Sequence, residues 1–318
     1  MDEEKLGDGM AAMSGRITIG TRGSDLALAQ TRMVAGLLAQ AHPALELAEL
    51  IIRTTGDLRL DVALSNPGPL DKGLFTKELE RALIDRSIDA AVHSLKDLPT
   101  ENPEGLVIGA ILERESPDDI LISKHDGGLD GLPEGATVAT GSLRRKFFLE
   151  WQRPDIQVVE IRGNVPTRIN KLRDQDGLDA LVLAAAGMRR LEVAGCALGL
   201  DLLHRTELEF MLPAPGQGAV AVQCRADDSA TLDALAALHH QATAVCVTAE
   251  RAVLSGLGGG CHMPLGVRAT VDDGAIWIRA AWFDLPGAPP RVASGSAPMQ
   301  EWTAAASDVI NQLYDQIE

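Results

Sequence analysis

Short apolar runs and amphipathic stretches alternate twice along the first part of this 318-residue chain, and that alternation narrows the fold more than any other feature. Each apolar run has the length of a buried strand, and each following stretch repeats its apolar residues at helical spacing. Strand, helix, strand in that order is the pattern of an open sheet covered by helices on both faces. In the first half, strands are read at Ile17–Gly20, Leu47–Arg53, Ile88–His93 and Leu106–Leu112. Helices are read at Ser24–Gln40, with Leu26, Ala29, Met33 and Leu37 as its apolar stripe, and at Phe75–Asp85, with Leu79 and Leu83 inward.

Pro117 and the Gly127-Gly128 and Gly131 region mark a change of segment, and the pattern then restarts. Strands Thr137–Ala139, Gln157–Ile161 and Leu178–Ala184 alternate with helices Leu143–Trp151 and Val165–Arg173, and Gly218–Gln223 is one more apolar strand. After Ala226 the texture changes. Helices at Ser229–His240 and Thr243–Leu254 lead into the glycine-rich Gly256–Gly260, and period-two segments Leu265–Thr270 and Ala275–Ala280 flank an Asp273-Gly274 hairpin signal. A final amphipathic helix spans Gln300–Ile317. A chain of this length suits two or three cores. With aromatics at 3% those cores must be aliphatic, as in buried parallel sheets.

The net charge of −16 argues against a general nucleic-acid or acidic-membrane binder. The imbalance is uneven: residues 141–190 hold ten Lys/Arg against six Asp/Glu, whereas residues 269–318 hold two against seven. Cys196, Cys224, Cys246 and Cys261 include no Cys-x-x-Cys pair, so reduced thiols in a cytoplasmic compartment are expected. The acidic start, Met1–Gly15, lacks the order of a secretory signal, and no apolar run reaches the ~20 residues of a membrane span.

In an open α/β sheet, ligands bind beyond the C-terminal strand ends, where helix N-termini favour anions. Thr21-Arg22-Gly23-Ser24 and Ser94-Leu95-Lys96-Asp97-Leu98-Pro99 fall at such places. So do Thr140-Gly141-Ser142-Leu143-Arg144-Arg145, Arg162-Gly163-Asn164-Val165-Pro166-Thr167-Arg168 and Arg189. Arginine's planar fork suits carboxylates and phosphates, so this cluster reads as an anion site, with structural ion pairs as the competing reading. Arg173 and Arg190 read as helix-face residues. Asp97 is either an ion-paired turn cap or a fixed anion that stabilises developing positive charge. Lys72 and Lys77 flank another helix start. Cys261, in Gly258-Gly259-Gly260-Cys261-His262-Met263-Pro264, is a reactive thiol or an incidental residue of a helix-ending turn; one Cys and one His make no zinc site.

TRGSDLALAQ, KGLFTKELERAL, AAVHSLKDLP, GSLRRKFFL, IRGNVPTRINKL, LAAAGMRRL, LPAPGQGAVAVQCR, TAERAVL and GGGCHMPLG stand in this order from Arg16 to about Trp282. Together they resemble the porphobilinogen deaminase (hydroxymethylbilane synthase) family. The resemblance implies two doubly wound α/β domains of the type II periplasmic-binding-protein kind plus a small C-terminal α+β domain. It places domain 1 at residues 16–114 and 213–228, domain 2 at 115–212 and domain 3 at 229–318. It implies that four porphobilinogen molecules are deaminated and joined head to tail into hydroxymethylbilane, in haem biosynthesis. Growth starts from a dipyrromethane cofactor held by a thioether to Cys261. Asp97, with Lys96 and Arg22, is implied as catalytic; Lys96, Asp97, Ser142, Arg144, Arg145, Arg162, Arg168, Arg189 and Gln217 as holding the cofactor. Arg22, Ser24, Lys72, Phe75, Arg162, Arg168 and Arg189 are implied to meet the substrate. A cytoplasmic monomer with no metal, nucleic acid or membrane partner is expected. The rival reading, a periplasmic-type anion-binding protein, shares the fold but gives Cys261 no purpose. A thiol-nucleophile hydrolase would need a base and an orienting carboxylate around Cys261.

Overall fold

The computed structural model describes residues 15–55, 76–260 and 263–316. The expectations that rest on Lys72, Phe75 and Cys261 lie outside these residues.

In chain order the elements begin β1 (Gly15–Thr21), α1 (Asp25–Ala41), β2 (Leu45–Ile51), α2 (Lys77–Ile84), β3 (Ala90–Ser94) and β4 (Leu106–Ile111). Next come β5 (Asp119–Ser123), β6 (Thr137–Ala139), α3 (Leu143–Gln152), β7 (Gln157–Val159), α4 (Val165–Asp174), β8 (Ala180–Ala184), α5 (Ala185–Val193) and β9 (His204–Glu207). The rest are β10 (Val220–Arg225), α6 (Ser229–Ala236), α7 (Gln241–Gly256), β11 (Leu265–Asp272), β12 (Ala275–Trp282), β13 (Arg291–Pro298) and α8 (Trp302–Asp315).

The strands form two five-stranded mixed sheets and one three-stranded sheet. The first has the order β2-β1-β3-β10-β4 and the second β7-β6-β8-β5-β9. In each, three strands run parallel, and the strand in the fourth place is antiparallel to both its neighbours. Two copies of this order, each with helices against the sheet, make two doubly wound α/β units. β10 returns to the first sheet after the whole second sheet has been laid down. The chain therefore passes between the sheets twice, at residues 112–118 and 208–219.

The two passages cross closely at Gly218, whose backbone φ is +88°. A Cβ there would stand 2.3 Å from the Glu115 carbonyl oxygen. Glycine alone combines that conformation with that approach. Gly218→Ala is therefore expected to cost about 1–3 kcal/mol of stability, read from the denaturant midpoint.

Local sequence explains the helix starts. Ser24, Ser142 and Asn164 each cap a helix by accepting from a backbone N–H three residues on, at 3.4, 3.5 and 2.9 Å. Leu79 and Leu83 of α2 are buried as expected. The stripe expected on α1 is off by about one position: Thr31, Val34 and Leu38 are buried, whereas Leu37 is 41% exposed. The reason is that α1 has two partners. Val34 and Leu38 pack in the first sheet's core, while Leu26 reaches the cluster of Ile122, Leu181 and Met188 behind the second sheet. β5, β9 and β13 are strands that periodicity did not reveal: β5 falls in the segment taken as a break, β9 is a polar edge strand, and β13 is built of small residues.

The third sheet, β11-β12-β13, is antiparallel, and α7 and α8 cover it. Asp273 and Gly274 take φ of 45° and 75°, the left-handed pair that a tight hairpin requires. Beyond β12, Phe283 inserts into the second sheet's core, 4.7 Å edge-to-face from Phe148 and also against Phe147 and Trp151. Phe210 completes the group on Phe148. In a chain so poor in aromatics, this cluster joins the third unit to the second.

Candidate active site

The Lys96-Asp97 turn is shaped by the leucines on either side of it. Leu95 and Leu98 are buried among Ile111, Ala219, Ala221, Ala244 and Val247. The Leu95 N–H donates to the Ala219 carbonyl (3.0 Å) and the Leu98 N–H to the Leu95 carbonyl (3.1 Å), closing a 3-10 turn. With positions 95 and 98 committed to the core, the residues between them are turned away from it. Asp97 is exposed and Lys96 half-buried.

Lys96 Nζ donates to Gln217 Oε1 at 3.3 Å. The Gln217 amide group then donates to the Pro117 carbonyl (2.7 Å) and to Asp119 Oδ1 (3.0 Å). Asp119, at the start of β5, is fully buried and is the hub of the site. It also accepts from Arg144 Nη1 at 2.6 Å and Arg145 Nε at 2.9 Å. Burial alone would raise the Asp119 carboxyl, but the two guanidiniums outweigh it and hold the group far below the usual carboxylate range. Arg144 also donates to the Leu212 carbonyl and Arg145 to the Val182 carbonyl. Both guanidiniums are thus anchored from within the protein, so the structural ion-pair reading holds for them at least in part. Asp119→Ala would strand two buried cations and is expected to cost about 3–5 kcal/mol, seen as a lowered unfolding midpoint.

Charge balance decides what the cluster can hold. Two buried guanidiniums share one carboxylate, which leaves positive charge in surplus, and Lys96 and Arg168 add to it. Burial and the neighbouring Arg145 lower the Lys96 ammonium to about 8, although Asp97 and Asp119 pull it upward. Burial, Arg145 and Arg162 lower Arg168 to about 10, against the pull of Asp97. An enclosed cationic group of this kind favours an anion. Asp97 sits within its field.

The other expected residues divide. Arg168 Nε donates to the Gly163 carbonyl (2.7 Å), and Arg162 pairs with Glu160 (2.6 Å). Both are at the N-terminus of α4, where the field of Arg168 reaches Arg145 and Asp97. Ser142 caps α3 with its oxygen, leaving its hydroxyl hydrogen able to donate. Arg22 and Ser24 lie half-buried where β1 meets α1. Arg189 is instead on an exposed face of α5, held by Glu115 (3.0 Å) and Glu207 (3.3 Å). Of the described cysteines, Cys224 and Cys246 are buried, and burial pushes their thiols up to about 11. They are poor nucleophiles.

Asp119, Arg114, Glu250 and Arg251 were not singled out by sequence. Arg114 forms a bidentate pair with the buried Glu250 (2.7 and 2.9 Å). Glu250 also accepts from the backbone N–H of Gly216 and Ala269, both at 2.8 Å. One α7 carboxylate thus grips both passages between the sheets and the third sheet. The signal could not be read locally, since each partner is distant in sequence.

A family model described as the porphobilinogen deaminase dipyromethane cofactor binding domain matches residues 17–233. The model of the porphobilinogen deaminase C-terminal domain matches residues 244–296. The porphobilinogen deaminase of Moorella thermoacetica is 49% identical over 271 residues, 85% of this chain and 84% of that protein. That of Desulforudis audaxviator is 45% identical over 303 residues, covering 95% and 96%. Among solved structures, the methionine-binding protein MetQ is 12% identical with a TM-score of 0.42, over 69% of this chain and 89% of that one. The periplasmic aliphatic sulphonate binding protein SsuA from Escherichia coli is 12% identical with a TM-score of 0.37, over 76% and 69%.

Proposed function

The chain belongs to the porphobilinogen deaminase family, and on that footing we propose how its own residues carry the reaction. It is an enzyme that polymerises porphobilinogen into hydroxymethylbilane and works with a dipyrromethane cofactor. The observation that carries the assignment of roles is the charge pattern: an exposed carboxylate, Asp97, within an enclosed surplus of cations.

That surplus fits a dipyrromethane, whose side-chain carboxylates supply the missing negative charge and whose pyrrole N–H groups suit a lone carboxylate acceptor. When bound, the cofactor supplies the primer from which the product grows. Lys96, Ser142, Arg145 and Arg168 would hold its carboxylates, with Arg144 and Gln217 setting the positions of Arg145 and Lys96. Arg162, Arg22 and Ser24 would meet the carboxylates of incoming porphobilinogen, with Lys72, Phe75 and the exposed Arg189 as further candidates. Asp97 stabilises the positive charge that builds on the substrate as ammonia departs. Cys261 holds the primer through its sulfur. What supports that choice is the unreactive setting of Cys224 and Cys246.

The units are taken as residues 16–114 with 213–228, 115–212 and 229–318; in support, the strands of each sheet come almost wholly from one of them. A cytoplasmic monomer is proposed. The charge of −16 supports independence from nucleic acid and acidic membranes, and among the described residues no helix is long and apolar enough to cross a membrane.

The test is the intact mass of the protein purified from cells that make haem, which should exceed that of the sequence by one dipyrromethane. A bare chain from such cells would refute the reading. A pH dependence follows as well. In the primer-free chain Lys96 is cationic below about 8 and neutral above it. The rate of primer uptake should therefore fall as pH rises through that value, and a Lys96→Arg chain, charged throughout, should lose the dependence.

A further inference from the structure

Arg251 lies on α7, on the same face as Ala244 and Val247, which pack against Leu95 and Leu98 beneath the Lys96-Asp97 turn. Its guanidinium donates to three backbone carbonyls of that turn: Leu98 at 3.0 Å, Leu95 at 3.4 Å, and Pro99. These carbonyls bracket Asp97 on both sides in the chain. The turn is also held before Asp97 by the buried Leu95, the Leu95 N–H on the Ala219 carbonyl and Lys96 on Gln217, and after it by the buried Leu98, while Asp97 itself is exposed. A planar five-donor fork that meets three carbonyls at once ties the two sides of Asp97 to one point on α7.

α7 is itself fixed. Glu250, the preceding residue, is bonded to Arg114 and to the Gly216 and Ala269 N–H groups. The same helix ends at Gly256, a few residues before Cys261. We propose that Arg251 is a positioning residue for Asp97, holding the turn at a set orientation relative to the helix that leads to the primer's anchor. The inference rests on the role of Asp97 given above. Arg251 acts through backbone carbonyls, so its removal changes where Asp97 stands, along with its neighbour Lys96 on the same turn, and leaves Arg22 and Arg162, assigned to the incoming porphobilinogen, in place. Misplacement of a reacting group by about 1 Å can cost on the order of a hundredfold in rate.

The experiment compares Arg251→Met and Arg251→Lys with the parent, using chains that carry the primer by intact mass. Melting temperature, kcat per primed molecule and KM for porphobilinogen are measured. Arg251→Met is expected to lower kcat by about ten- to a hundredfold with KM within about twofold, and Arg251→Lys to recover part of the loss. Should the methionine chain not fold, the lysine chain decides: its kcat must fall several-fold at a parent-like melting temperature. An unchanged kcat per primed molecule overturns the proposal. So does a KM that rises in step with the loss of kcat, or loss of the primer from a folded variant, since both place Arg251 in binding or attachment. The intact mass of the parent, taken before any variant is made, separates a failure of the Cys261 reading from a failure of this one.

Discussion

A Cys261→Ser chain is expected to leave the cell with the mass of its sequence alone, and to turn over no measurable porphobilinogen. Thioether formation needs a sulfur nucleophile, and a serine hydroxyl, which ionises far less readily than a thiol, does not replace it. Cys224 and Cys246 offer no substitute, because they are buried with their pKa pushed up to about 11. The loss should be complete and specific. The variant should fold, since the three cores draw on other residues. Intact mass under denaturing conditions reads the outcome directly, and a dipyrromethane retained covalently by the serine chain would sink the assignment.

Asp97→Ala is expected to lose about 10³-fold or more in kcat at nearly unchanged stability. An exposed surface residue of this kind contributes within roughly 0.5 kcal/mol to folding, so thermal melting should hardly move. Its electrostatic position is another matter. Asp97 pulls the Lys96 and Arg168 pKa values upward, and its loss leaves that group more positive just where the substrate becomes cationic. Asp97→Asn, which keeps the shape and loses the charge, should be nearly as slow. Activity of either variant close to the parent's would remove Asp97 from the chemistry.

How much of this was legible in the sequence depended on distance along the chain. Helix starts could be read because Ser24, Ser142 and Asn164 reach a donor only three residues away. Leu95 and Leu98 could be read as apolar, but not as the frame of a turn, because Ala219 and Val247 join them from far down the chain. Arg144 and Arg145 were visible as a pair of cations, yet their occupation by Asp119 was not. That aspartate begins β5, in a stretch taken for a break between segments. Arg189 looked like its neighbours in the motif and turned out to be held by Glu115 and Glu207 at the surface. The α1 stripe was misjudged for a related reason: a helix wedged between two cores does not keep its apolar residues on one line.

The return of β10 to the fourth place of the first sheet bears on how the protein is made. Synthesis proceeds from the N-terminus, and domains tend to fold as units when their residues have emerged. β3 and β4 leave the ribosome early but are not hydrogen-bonded to each other; the strand that lies between them is residues 220–225. The strands of the second sheet, by contrast, all lie within residues 119–207, so that sheet can close while the first still lacks its fourth strand. The first sheet is therefore finished after the second. Until then two apolar strand edges wait unpaired, which makes the nascent N-terminal region the stretch most exposed to mispairing and to chaperone capture.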